Sequence, residues 1–329
     1  MPELPEVETV RRQLEPELVG KRIDAASVLD ERLTRPEPPR ALERAVAGRQ
    51  VTAVARRGKY LLIGLEGGRT LALHLRMTGN LLIREPGGEA TADLMKTEPA
   101  SHGTRSAEPR APSRQPRVYE SPPEPSHVRA RFQLDDGGEL LFTDVRRFGQ
   151  AVVLDEGDQL EDYFADRLGV EPLSGELTPE RLLELAKGRK APLKSFLLTQ
   201  SRVAGIGNIY ADEALWRARL HPLSPAGSMK LEQAERLVDG IVGALEAGLD
   251  HGGASIDDYR DARGERGSMQ EEFLVHTREG GACRRDDGGV IQRIVVTGRS
   301  TYFCPVCQER LRRRSRRRSR AAPRGRPRR

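Results

Sequence analysis

Between Pro5 and Val19 the apolar residues Val7, Val10, Leu14 and Leu18 recur every three or four positions. That spacing is one face of an amphipathic helix, so the first residues of the chain are tied to a folded element. From Val51 to Phe148 the pattern turns to short runs of β type: Tyr60 to Leu65, Thr70 to Leu75, Val128 to Leu134 and Glu139 to Thr143. Asp135-Asp136-Gly137-Gly138 reads as a hairpin turn between the last two, and the whole stretch predicts a β-sandwich or barrel. Residues 85–126 are rich in Pro, Ser, Gly and Glu with almost no aliphatic side chains, which predicts a disordered insertion in a loop. Pro172 to Gly175 reads as a linker, and helical patterns follow it. Thr178 caps a helix with Pro179 at its first position, Pro192 opens another, Asn208 caps a third, and Ser228 caps a long one running to Leu249.

Composition adds limits. A chain of 329 residues, 37% of them hydrophobic, can bury more than one core, and its length favours two or more domains. No apolar run approaches the roughly 20 residues of a membrane helix. The Pro-Glu start is unlike a signal peptide, and three cysteines are too few for a secreted disulfide framework. The expectation is a cytoplasmic protein without a membrane partner. The net charge of +6 conceals an asymmetry: residues 310–329 carry twelve arginines and no acids, which leaves 43 basic against 49 acidic residues elsewhere, a net of −6. Any polyanion bound by the folded part must therefore meet a local basic face. The tail reads as a disordered, solvated run that supplies a non-specific, salt-sensitive attraction to phosphate.

After Met1 the chain reads Pro2-Glu3-Leu4-Pro5-Glu6-Val7-Glu8-Thr9. Alone, such a start is also what a helix N-terminus looks like, with acids favourable to the dipole. This opening resembles that of the formamidopyrimidine-DNA glycosylases, and further similar segments recur down to Gln308, leaving out only the loop insertion and the tail. The chemistry has reason to use this terminus. An α-amine titrates near pH 8, against about 10.4 for lysine, so more of it is free base at neutral pH. Proline's secondary amine, exposed once Met1 is removed, gives an iminium on a sugar carbon that cannot neutralise itself by losing a nitrogen proton, and that cation drives elimination. The resemblance implies that Glu3 moves protons at the opening sugar ring. By the same resemblance Lys59, in Arg56-Arg57-Gly58-Lys59-Tyr60-Leu61, lies near the lesion phosphates and assists β-elimination.

Met77, in His74-Leu75-Arg76-Met77-Thr78-Gly79, and Arg146 and Phe148, in Asp144-Val145-Arg146-Arg147-Phe148-Gly149, match the loops that fill the hole left by a flipped base. Lys194 to Pro222, with Val203-Ala204-Gly205-Ile206-Gly207-Asn208, resembles a helix-two-turn-helix element; the amides and the Asn208 side chain at its second helix read as a phosphate site. Arg189 and Lys194 read as further phosphate contacts, and Gly252 to Phe273 falls where the family has a mobile loop over the flipped purine. Three departures stand out. The first half of a four-cysteine zinc finger is incomplete: Cys283 is followed by Asp286, with Asp287 beside it, before Cys304 and Cys307. The expected metal site is one zinc on Cys283, Asp286, Cys304 and Cys307, zinc also accepting carboxylate oxygen. The resemblance implies that Arg299, on the same hairpin, contacts phosphate and serves the last elimination step. Around His127 the family's histidine pair is reduced to one, with Pro125 at the earlier position, and Thr199 stands where an acid is usual.

The fold expected is multi-domain α+β: a catalytic β-sandwich with its N-terminal helix (residues 1–171), a helix-two-turn-helix domain with the lesion loop (172–275), a zinc-finger-like hairpin (276–309) and the tail (310–329). The function implied by the resemblance is a monomeric, bifunctional glycosylase and lyase that excises 8-oxoguanine and formamidopyrimidines from damaged duplex DNA by β,δ-elimination. Two rivals remain: an enzyme of the endonuclease VIII branch acting on oxidised pyrimidines, and a non-catalytic damage-binding protein.

Overall fold

The computed structural model describes residues 1–86, 127–256 and 258–312; nearly all of the 85–126 insertion, and the tail beyond 312, lie outside the described residues. Helix α1 (Leu4–Leu18) carries the stripe read from the sequence, with Val7, Val10 and Leu14 fully buried and Leu18 all but so. Burying such aliphatic side chains contributes roughly 1.5–3 kcal/mol each.

Eight strands follow: β1 (Arg22–Val28), β2 (Arg49–Arg57), β3 (Tyr60–Leu65), β4 (Arg69–His74), β5 (Gly79–Arg84), β6 (Val128–Leu134), β7 (Glu139–Asp144) and β8 (Gln150–Asp155). Their order is β5-β7-β6-β1-β2-β3-β4-β8, with antiparallel neighbours throughout. The halves join through the short pairing of Arg22 and Ile23 with Gln50 and Arg49, continued by backbone bonds between Val51 and Gly20 and Lys21. This lets the sheet fold over as a sandwich, and Ile63, Leu71 and Leu73 of one half share a core with Ala130, Phe132 and Phe142 of the other, closed by α1 and by α2 (Pro39–Val46). The outer face of β3 and β4 is covered as well: Tyr60 and Ala72 pack with Phe164 of α3 (Asp158–Ala165), Leu168 and Ala204.

A second core gathers α4 (Pro179–Ala186), α5 (Leu193–Leu197), α6 (Asn208–Arg217) and α7 (Leu231–Asp250). The Thr178 side chain caps α4 as read, accepting from the Arg181 amide. Two helix starts differ from the sequence reading. Helix α7 begins after Lys230, whose amide donates to Gln233 Oε1, and Ser228 lies in a preceding 3-10 turn. Helix α6 is preceded by Gly207, so Asn208 is its first residue and does not cap it. Strands β9 (Gln292–Val296) and β10 (Arg299–Phe303) form a hairpin whose two turn residues, Thr297 and Gly298, both have positive φ (46° and 77°). Among the described residues no helix is long and apolar enough to cross a membrane.

Leu4 belongs to the helical core and Val7 to the sandwich core, and the Leu4 amide donates to Gly205 O at 3.0 Å. The start of the chain is thus pinned in the seam between the two cores.

Candidate active site

Pro2 is buried, and Glu3 beside it is only 2% exposed. The Glu3 carboxylate accepts the first free amides of α6, from Ile209 at 3.0 Å and Tyr210 at 3.4 Å. A helix N-terminus holds an anion well, because its leading N–H groups lack intrahelical partners. The sequence reading reserved these amides for a phosphate; the structure gives them to Glu3. The Asn208 side chain instead donates to Ser300 O at 3.1 Å, joining α6 to the hairpin.

The structure adds Glu6, Tyr210 and Ala254 to this centre. Glu6 accepts the Glu3 amide, the Tyr210 hydroxyl and the Ala254 amide, each at 2.7 Å. Burial, with the Glu3 charge adding to it, raises the Glu6 carboxyl above its ordinary range. Gly253 has φ +84°, and a Cβ there would stand 2.7 Å from Glu6. Tyr259 donates to Glu6 O at 3.2 Å, so the 252–273 loop is fastened to the start of α1. A signal for Glu6 was present in the sequence: it lies four residues before Val10, on the apolar face of the helix, where an acid needs a buried partner.

Lys59 follows the tight turn between β2 and β3. Gly58 adopts φ +58°, and its carbonyl accepts from Arg56, which also pairs with Glu171 at 3.0 Å. Lys59 is 5% exposed; burial lowers its pKa, the charges of Glu3 and Glu6 oppose that, and Arg299 adds to it. These interactions bring Glu3, Glu6, Lys59 and Arg299 into one electrostatic cluster, with Arg299 exposed at the start of β10. A cavity of about 260 Å³ opens beside Lys59, lined by Tyr60, His74, Arg76, Arg167, Leu168 and Gln200. Three cations on one small cavity suit an anion.

His74 is held neutral there. Its Nδ1 accepts the Arg76 amide at 2.9 Å, and burial, reinforced by Arg76 and Lys59, brings its pKa down to about 3. The unfolded chain takes up this proton below about pH 6.5 while the folded chain does not, so folded stability falls as pH falls from 6.5 toward 3. His74→Phe removes this contribution. Between pH 7 and pH 5 the stability difference between the natural chain and the variant should shift by about 2 kcal/mol, measured by urea unfolding, with the natural chain losing more.

The two loops read as a wedge are locked to each other. Thr78 Oγ1 bonds the buried Asp144 carboxylate and accepts the Arg146 amide at 3.0 Å, while Asp144 also takes the Arg146 amide at 3.1 Å and the Gly149 amide at 2.7 Å. Met77 (38% exposed) and Phe148 (50% exposed) are left on the surface, with the Arg146 guanidinium 5.0 Å from the Phe148 ring centre. Large apolar side chains held on rigid loops yet kept out of either core suit insertion into a partner.

Three remaining positions separate. Arg189 is exposed on the turn between α4 and α5. His127 is half-buried before β6, with Nδ1 unpartnered among the described residues. Lys194, read as a phosphate contact, is fully buried: its Nζ pairs with Asp212 and donates to Asn208 O at 2.9 Å, and Asp212 in turn holds His276 Nδ1 at 2.9 Å. A buried cation bonded to a buried carboxylate is committed to that pair. Lys194 therefore positions the start of α6 and does not reach out to phosphate.

In the hairpin region the ligand reading is corrected at one residue. The donor atoms of Cys283, Asp287, Cys304 and Cys307 all lie within 4.8 Å of one another. The Cys283 and Cys307 sulfurs are 3.9 Å apart, and Cys304 Sγ is 3.5 Å from Asp287 Oδ2. Tetrahedral zinc with bonds of about 2.3 Å to sulfur places two sulfurs about 3.8 Å apart, so the set fits this ion. Asp286 stands on the outside of the turn, exposed and at φ 52°, its amide donating to Cys283 O. That turn carries the next carboxylate inward. Trp216 Nε1 donates to Cys283 Sγ at 3.4 Å and Arg285 to Cys307 Sγ at 3.1 Å, as outer donors to thiolates do. The Asp287→Ala variant should lose most of its bound zinc and Asp286→Ala should keep it, read as metal per protein after dialysis against a weak chelator.

Residues 1–151 match the formamidopyrimidine-DNA glycosylase N-terminal domain, residues 168–260 the formamidopyrimidine-DNA glycosylase H2TH domain, and residues 288–310 the zinc finger found in FPG and IleRS. The formamidopyrimidine-DNA glycosylase of Chloroflexus aggregans is 43% identical over 309 residues, covering 94% of this chain and 98% of the relative. That of Roseiflexus sp. is 41% identical, with 94% and 100% covered. Among solved structures, the Lactococcus lactis Fpg in complex with DNA containing an abasic site superposes with a TM-score of 0.76 at 30% identity, covering 94% of this chain and 100% of that one. Its wild type in complex with DNA containing an oxidised pyrimidine gives 0.75 at the same identity and coverage. The same three parts in the same order, and relatives of this identity matched over almost their full length, place this chain in the formamidopyrimidine-DNA glycosylase family.

Proposed function

We propose that the chain is a DNA glycosylase and abasic-site lyase of base excision repair, removing oxidised purines from duplex DNA through the nitrogen of Pro2. The observation that carries this is the seam itself: a buried Pro2 next to a buried Glu3 whose charge acts on the buried Lys59, in a chain that also leaves Met77, Arg146 and Phe148 exposed on interlocked loops. With Met1 removed, the Pro2 nitrogen attacks C1′ of the flipped nucleotide and the C1′–N bond to the damaged base breaks. Glu3, held by the α6 amides, transfers a proton at the ring oxygen as the sugar opens. The iminium makes the C2′ proton acidic, and loss of that proton expels the 3′ phosphate; Lys59 and the cations of the neighbouring cavity hold the phosphates, and Arg299 serves the second elimination. Met77, Arg146 and Phe148 fill the vacated stack, with Arg189 and His127 as outer contacts. Zinc, when bound, supplies no chemistry; it fixes the hairpin that presents Arg299.

We assign the catalytic sandwich to residues 1–171, the DNA-binding helices and lesion loop to 172–275 and the finger to 276–309. Every role falls within one chain, which supports a monomer. Bacterial relatives support action on a bacterial chromosome. The L. lactis complexes carry abasic, Fapy-dG and oxidised-pyrimidine DNA, which supports duplex DNA as partner and keeps lesion preference as the point to test. Single-turnover excision from duplexes with 8-oxoguanine opposite cytosine should be faster than from an oxidised-pyrimidine duplex. The reverse order would move the chain to the pyrimidine reading, and tight binding without excision to the non-catalytic one.

A further inference from the structure

The chain crosses the seam between the two cores a second time. Ala254, just after α7, belongs to the helical core, Tyr259 and Ala262 belong to the sandwich core, and Met269 and Phe273 return to the helical core. Residues 258–262 are therefore a strap that leaves its own unit and lies on the other, with Tyr259 4% exposed and Ala262 fully buried. We propose that Gln13 and Asn80 are positioning residues for base excision, because they fix this strap as a wall beside Pro2 before DNA arrives, an inference that rests on reading this site as a base-excising one.

Each of the two is a side-chain amide used at both ends. Asn80, on β5, is 1% exposed; its Nδ2 donates to Asp258 O at 3.1 Å and its Oδ1 accepts the Arg260 amide at 2.9 Å. Gln13, on α1, donates from Nε2 to Asp261 Oδ2 at 2.8 Å and accepts the Ala262 amide on Oε1 at 2.9 Å. A side-chain amide both donates and accepts, so it can pair with backbone as a neighbouring strand would. The Ile83 amide of β5 completes the set, donating to Ala262 O at 2.9 Å. The strap also braces itself: Asp261 Oδ1 accepts the amides of Arg263 at 3.0 Å and Glu265 at 2.8 Å, while Ser255 Oγ donates to Tyr259 O and accepts the Gly267 amide, both at 3.0 Å. Segments ordered in advance in this way cost less to order on binding.

The place of the strap gives its function. At one end Ala254 and Tyr259 bond Glu6, which itself accepts the Glu3 amide next to Pro2. At the other, Asn80 follows Met77 by three residues on the strand that leaves the wedge loop, and its Nδ2 also lies 3.4 Å from Thr78 O. A base that leaves the stack at Met77 and reaches Pro2 passes between those ends, alongside the strap. A misplacement of about 1 Å can cost up to roughly a hundredfold in rate, so the seating of this wall matters to excision. A preformed abasic site has no base to place, and its cleavage is indifferent to the wall.

The test breaks one bond and then reverses it. Gln13→Glu keeps the acceptor for the Ala262 amide but sets a carboxylate against that of Asp261; adding Asp261→Asn supplies a donor there and keeps the oxygen that serves Arg263 and Glu265. In the free full chain, amide exchange over residues 258–262 should be roughly tenfold faster in Gln13→Glu and in Asn80→Ala, and natural again in the double variant, with exchange in β3 the same throughout. Single-turnover excision of 8-oxoguanine should fall about ten- to hundredfold in both single variants and recover in the double variant, while cleavage of a preformed abasic duplex stays within about twofold. Natural exchange rates in both single variants, a joint loss of excision and abasic cleavage, or a double variant that does not recover would overturn the proposal. The exchange measurement needs no DNA, so failure there counts against the strap alone. Absence of 8-oxoguanine excision by the natural chain counts against the functional reading instead, and the oxidised-pyrimidine duplex then carries the excision comparison.

Discussion

Replacing Glu3 by Gln lowers single-turnover base excision by about 10²- to 10⁴-fold, the usual contribution of a positioned proton-transfer group. The amide keeps the shape of the carboxyl, and its single oxygen can still accept from Ile209, the shorter of the two bonds, so only the longer bond from Tyr210 is given up and the seam stays formed. What it loses is the proton-transfer capacity and the negative charge that faces Lys59. Thermal unfolding and affinity for an abasic-site duplex should therefore stay close to those of the natural chain. Excision within a few-fold of the natural rate would show that proton transfer at the sugar is carried by another group.

The second large effect comes from a residue that never touches DNA in this account. Gly207→Ala places a methyl group 2.2 Å from the Glu3 carboxyl carbon and 2.4 Å from Oε1, closer than any such contact tolerates. Gly207 has φ −126°, open to any residue, so the effect is steric and falls on the catalytic carboxylate. The expected result is a loss of excision comparable to that of Glu3→Gln, with a stability cost of roughly 1–3 kcal/mol from overpacking. Full activity in a folded variant would mean that Glu3 does not need its seat on α6.

Much of the fold was legible because period carries it. The stripe Val7, Val10, Leu14 and Leu18 is the buried face of α1, and the runs at 60–65 and 128–134 are strands with those bounds. The helix starts read at Ser228 and Asn208 were wrong because capping residues are common in turns; packing and the backbone bonds decide which one closes the helix. In the site, the segments carrying Pro2, Lys59, Met77 and Phe148 could be picked out by resemblance, yet the seating of Pro2 and Glu3 between the cores depends on Leu4 joining the helical core while Val7 joins the sandwich. Lys194 was misread because nothing in its own segment announces Asp212, eighteen residues on, as its buried partner. The choice between Asp286 and Asp287 hung on one left-handed residue in a turn, which no spacing rule fixes.

The central claim is that the Pro2 nitrogen is the nucleophile. Borohydride trapping on an 8-oxoguanine duplex, with Met1 removal first confirmed by mass, tests it most directly. The account predicts a covalent protein–DNA adduct whose modified peptide begins at Pro2, and much weaker, redirected trapping in Pro2→Gly, where a primary amine replaces the secondary one. An adduct mapping to Lys59 or another lysine, or trapping and strand cleavage unchanged in Pro2→Gly, would contradict it.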